Sequence, residues 1–100
     1  MRLTPTQIDL IKQSAEQTFG SEASVWLFGS RVDDNRRGGD IDLYLELPPM
    51  DPEAQRKLET RFWVRLQRVL GERKIDIVSH RHGAPLRPID EQARSSGIRL

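Results

Sequence analysis

The chain has 100 residues, 31% of them charged, and a formal net charge of only +1. So even a balance argues against a dedicated non-specific nucleic-acid binder, and the absence of cysteine excludes disulfides and thiolate-zinc sites. No apolar run is long enough to span a membrane and no signal-like stretch opens the chain, so a cytoplasmic protein with no membrane association is expected, residues 1–100 forming one small domain.

The predicted elements alternate between helix and strand. Thr4-Pro5-Thr6-Gln7 has the form of a helix start: Thr4 as N-cap, Pro5 at the first helical position and Gln7 completing a capping box, with Leu3 and Ile8 placed as a hydrophobic staple. Ile8, Ile11, Ala15 and Phe19 then recur at helical spacing until Gly20 ends the run. Residues 25–28 read as a short buried strand, which puts Trp26 in the core. Residues 40–46 alternate, with Ile41, Leu43 and Leu45 facing inward and Asp40, Asp42, Tyr44 and Glu46 outward; Tyr44 and Glu46 are expected to be solvated. Asp51-Pro52 opens a longer helix with Leu58, Phe62, Leu66, Val69 and Leu70 on its inner stripe and Gly71 at its end. Trp63 lies off that stripe, as either an exposed anchor for a partner or the edge of the core. Residues 74–78 form a third strand. Pro88 begins a final short helix that Gly97 ends, after which Ile98 and Leu100 dock back. This order implies an α/β (α+β) fold, a small mixed sheet of three or four strands with helices mainly on one face.

The chemistry lies where strands meet loops. Leu27-Phe28 runs into Gly29-Ser30-Arg31, and a stretch rich in Asp, Asn, Arg and Gly leads to Asp40-Ile41-Asp42. A strand sends side chains i and i+2 to the same face, so Asp40 and Asp42 stand side by side. Adjacent carboxylates repel unless a cation lies between them, and Mg²⁺ prefers such oxygen ligands. Gly29 lets the backbone approach an anion, and free N–H groups at a turn cradle phosphate. Asp76, between Ile75 and Ile77, points away from the core; with its strand beside residues 40–46 it joins the same face. Three converging carboxylates suit a two-metal site with ions about 3.5–4 Å apart. Asp40 and Asp42 would bridge both ions, and Asp76 would sit nearest an attacking hydroxyl and help to deprotonate it. A metal pair facing a phosphate cradle handles a nucleoside triphosphate. Arg31 is the arginine best placed to meet its phosphates, whereas Arg36 and Arg37 read as solvated. His80 and His82 read as structural.

This pattern of Gly29-Ser30, Asp40-x-Asp42 and a later Asp76 resembles the nucleotidyltransferases of the DNA polymerase beta superfamily. The short chain is similar to their minimal bacterial and archaeal members, with a nucleotidyltransferase, palm-like fold. The resemblance covers roughly residues 4 to 80. It implies that Gly29 and Ser30 bind the triphosphate, that Asp40 and Asp42 bind metal and that Asp76 aids the nucleophile. One departure is Gly39, where a serine is common in the family; it keeps a small residue before the first aspartate. The implied activity is Mg²⁺-dependent transfer of a nucleoside monophosphate, AMP from ATP, to a hydroxyl. Minimal members are often paired with a helical HEPN-type protein as antitoxin to its toxin, so the resemblance also implies AMPylation of a partner's tyrosine. The alternative is a non-catalytic binding module that neutralises or escorts a partner protein.

Overall fold

The computed structural model describes residues 3–28 and 41–100. Over these the chain forms α1 (Pro5–Phe19), β1 (Ser24–Phe28), β2 (Ile41–Leu47), α2 (Pro52–Leu70), β3 (Ile75–Arg81), α3 (Pro88–Ser96) and β4 (Ile98–Arg99). One mixed sheet runs β3-β2-β1-β4, with β1 antiparallel to both β2 and β4 and β2 parallel to β3. Parallel neighbours cannot be joined by a tight turn, and α2 supplies the crossover between them. The α+β class expected from the pattern is the one the chain adopts, and its tail provides the fourth strand.

Helix boundaries follow local chemistry. Thr4 Oγ1 accepts the Gln7 N–H at 3.1 Å while Gln7 Oε1 accepts the Thr4 N–H at 2.9 Å, so two otherwise orphaned donors are satisfied. At α2 the Asp51 carboxylate accepts the Ala54 N–H at 2.9 Å. Gly71 follows Leu70 at a φ of 85°, a backbone geometry that few side chains tolerate.

The core lies between the sheet and the α1–α2 pair. Ile11, Ala15 and Phe19 of α1 and Phe62 and Leu66 of α2 meet Val25, Leu27, Ile41, Leu43 and Leu45 of the strands. Phe19 and Phe62 meet edge to face with ring centroids 5.5 Å apart. The helix stripe needs one correction: Val69 is 39% exposed. It holds an inward angular position, but it falls in the last turn of α2, beside a groove next to Gln17 and Thr18.

Trp26 is also corrected. Burial in β1 alternates, with Val25 and Leu27 on the core side, so Trp26 lies half-buried on the opposite face. There it meets Tyr44 edge to face at 5.6 Å, with the Arg99 guanidinium 5.5 Å from its ring centroid. An apolar run of this length does not reveal whether one or both faces are covered. Ile98 pairs with Leu27 through its backbone yet leaves its side chain 54% exposed, whereas Leu100 packs on the core and donates its N–H to Val25 O at 2.9 Å.

α3 crosses the other face of the sheet and is brought close to β1 by Gly97. A Cβ at Gly97 would lie 2.3 Å from Ala93 O, 3.0 Å from Leu27 O and 3.2 Å from Phe28 Cβ. Two of those atoms are backbone, which cannot step aside cheaply. Gly97→Ala is therefore expected to destabilise the protein by about 1–3 kcal/mol, the usual cost of overpacking. Urea denaturation measures it, and an unchanged midpoint would contradict the close approach.

Candidate active site

The site is built from the strand ends. In the parallel β2–β3 pair the Cα partners are Ile41 with Ile75, Asp42 with Asp76 and Leu43 with Ile77. Ile41, Leu43 and Ile75 are buried on the α1–α2 side, so strand alternation sends Asp42 and Asp76 together to the opposite face. Asp42 is half-buried and Asp76 exposed. On its other side Asp42 pairs with Phe28, the last residue of β1. Gly29, Ser30 and Arg31 thus follow in the chain from the immediate strand neighbour of Asp42, and Asp40 precedes Ile41, the first residue of β2. Gly29, Ser30, Arg31, Arg36, Arg37, Gly39 and Asp40 lie outside the described residues.

Neighbouring strands are about 4.8 Å apart, so the Asp42–Asp76 pair offers hard oxygen donors at the scale of one divalent ion's coordination sphere. These donors fit Mg²⁺ better than a soft metal, and no cysteine is present to favour one. Among the described residues no group of three His, Cys, Asp or Glu is placed to hold a metal ion. The third predicted ligand, Asp40, is outside that set.

Behind the carboxylates lies a polar network that the alternation pattern did not reveal. Tyr44 and Glu46 were expected to be solvated, yet Tyr44 is fully buried and Glu46 is half-buried because α3 covers this part of the sheet. The Tyr44 hydroxyl donates to Glu46 Oε1 at 3.3 Å and accepts from Arg94 Nε at 3.3 Å. The Arg94 guanidinium also pairs with Glu46 and sits 5.9 Å from the Tyr44 ring centroid. Burial pushes the Tyr44 hydroxyl above its usual range despite the lowering effect of Arg94, so it remains a protonated donor. His80, paired in register with Glu46, is buried, with Nδ1 2.8 Å from Glu46 Oε1 and Nε2 2.8 Å from Ala84 O. Its structural reading accords with these bonds; His82 is exposed. A signal was available: pairing Asp42 with Asp76 in parallel strands also puts Glu46 opposite His80.

Trp63 combines features of both its readings. Its ring is 42% exposed, while its indole N–H donates to Ile75 O at 3.2 Å, pinning the peptide that leads into Asp76.

α3 itself is anchored by an ion pair. Asp90 is fully buried and accepts from Arg87 through the backbone N–H at 2.8 Å, Nε at 3.0 Å and Nη2 at 2.8 Å. Arg87 Nη2 also donates to Ser79 O at 2.7 Å, tying the helix start to β3. Burial alone would raise the Asp90 carboxyl, but the hydrogen bonds and charge of Arg87 outweigh it and hold the carboxyl below its ordinary range. The arrangement as a whole leaves the Asp42–Asp76 end of the face to carry chemistry and closes the Tyr44–Glu46–His80 part beneath α3.

The nucleotidyltransferase domain family model matches residues 8–96. No curated protein matches the chain.

The anchor has a testable pH signature. Arg87→Ala leaves Asp90 buried without its cation and is expected to cost about 3 kcal/mol at neutral pH. Because the Asp90 pKa is depressed in the folded protein, the pair's contribution is present above the ordinary carboxylate pKa of about 3.9 and is lost as pH falls through the lower folded value. The stability gap between wild type and Arg87→Ala should therefore narrow from pH 6 to pH 3. Urea titrations across that range measure it, and a gap that stays constant would contradict the pairing.

Proposed function

Because this chain belongs to the nucleotidyltransferase domain family of the polymerase beta superfamily, and is therefore a transferase of nucleotidyl groups, we propose that it transfers AMP from ATP to a protein hydroxyl. The observation that carries this reading is the register of Asp42 against Asp76, beside the strand from which Gly29 and Ser30 follow. In this reading Asp40, Asp42 and Asp76 hold two Mg²⁺ ions. When bound, such ions neutralise phosphate charge and ease ionisation of the attacking hydroxyl. Gly29 and Ser30 hold the triphosphate through backbone and hydroxyl hydrogen bonds, and Arg31 offsets its charge. Asp76, on the outermost of the two carboxylate-bearing strands, takes the proton as the hydroxyl oxygen attacks the α-phosphorus. The bond from that phosphorus to its bridging oxygen breaks, and pyrophosphate leaves with the electron pair.

The acceptor in this reading belongs to another protein. Every described helix and strand is committed to the sheet or to covering it, which supports a partner that presents the hydroxyl. We assign that role to a tyrosine on a helical HEPN-type toxin, which makes this chain an antitoxin acting by AMPylation.

Two measurements test the reading in turn. Mg²⁺ with ATP should raise the melting temperature by mass action, and Asp42→Asn should abolish that gain while still folding. A full gain in Asp42→Asn would sink the metal assignment. Mass spectrometry of the pair co-expressed with its HEPN-type partner should show an added AMP on a partner tyrosine that vanishes with Asp40→Asn. A partner left unmodified yet silenced equally by both versions would establish a binding module instead.

A further inference from the structure

On the outer side of the helical layer, away from the carboxylates, α2 carries a stripe that the transfer reaction does not use. Arg61, Val64, Arg65 and Arg68 follow one another at i, i+3, i+4 and i+7 and therefore share a face. With Thr60, Val69 and the α1 residues Gln17 and Thr18 they line a groove of about 540 Å³. Among the described residues no carboxylate lines it. Arg65 donates to the neutral Gln17, and among the described residues none of the three arginines is in an ion pair. Val64 and Val69 stand 37% and 39% exposed within this basic surround.

We propose that this groove docks an acidic amphipathic helix of a partner protein, with carboxylates meeting Arg61, Arg65 and Arg68 and an apolar side chain seated against Val64 and Val69. The docking holds whatever acceptor the transferase serves. Charge complementarity selects the sign of the occupant, and the exposed valines select a peptide over a nucleic acid. Three arginines neutralise at most three phosphates, which corresponds to a log–log salt slope of only about −2 for a single strand, and among the described residues the groove has no aromatic ring on which a base could stack. Arg61 to Val69 spans nine residues of helix, roughly 12 Å from first to last, so the groove accommodates about two turns of its occupant.

The test follows backbone amide resonances of the isotopically labelled full chain. The probe is a 15-residue helical peptide with leucines at i, i+3, i+4 and i+7 flanked by glutamates. Its counterparts are the same peptide with lysine in place of glutamate and a 15-nucleotide single-stranded DNA. The acidic peptide is expected to shift Thr18, Thr60, Val64 and Val69 saturably, and the lysine peptide to leave them unmoved. The double substitution Arg61→Glu with Arg68→Glu should weaken binding at least tenfold, and Val64→Ser should weaken it with all charges retained; all these side chains are exposed, so both variants are expected to fold, which the dispersion of their amide resonances checks. Absence of saturable shifts with the acidic peptide, equal affinity in the charge-reversed protein, or preferential binding of the DNA would each overturn the proposal.

Discussion

The parallel register that sets Asp42 beside Asp76 is the constraint on which the site depends. At a strand spacing of about 4.8 Å, two like charges repel by roughly 1–3 kcal/mol, depending on how much water screens them. That repulsion acts within β2 and β3 themselves, so other forces must hold the two strands in register. The buried row Ile41, Leu43, Leu45 and Leu47 does this from the other face of β2, packed under α1 and α2. A slip of one residue would turn that apolar row outward and the carboxylates inward. The hydrophobic core and the carboxylate pair are thus two consequences of one strand alternation.

α3 then decides how much of the polar face is open. Over the second half of β2 it supplies Arg94 to Tyr44 and Glu46, and the buried Asp90 and Ala93 fix the helix against the sheet. Polar side chains taken from water need partners in place, and here each finds one: Tyr44 in Glu46 and Arg94, His80 in Glu46 and Ala84 O. The face is consequently divided along the strand. About two residues, some 6.7 Å, separate Asp42 from the closed network at Tyr44. The covered network thus backs the strand ends that carry Asp42 and Asp76.

The outer edge of the sheet is held by side chains from two different helices. Trp63 of α2 bonds to Ile75 O near the start of β3, and Arg87, the N-cap residue of α3, bonds to Ser79 O near its end. An edge strand otherwise presents unpaired carbonyls that invite another chain to pair with it. Here those bonds also position β3 itself, and with it Asp76.

The sequence by itself determined the elements and the outward placement of the carboxylates. The capping box of Thr4 and Gln7, the Asp51 cap and the alternation of residues 41–45 are local, and local hydrogen bonding and strand geometry are enough to produce them. Asp42 and Asp76 were legible for the same reason, since a strand side chain flanked by core residues must point away from the core. Tertiary structure alone decided what lies above that outward face. Tyr44 reads as solvated and Trp26 as core until α3 is placed over one and Arg99 over the other, and Val69 reads as core until the groove it shares with Gln17 and Thr18 of α1 leaves it exposed. Periodicity states which way a side chain points; whether it meets water or protein there depends on an element distant in sequence.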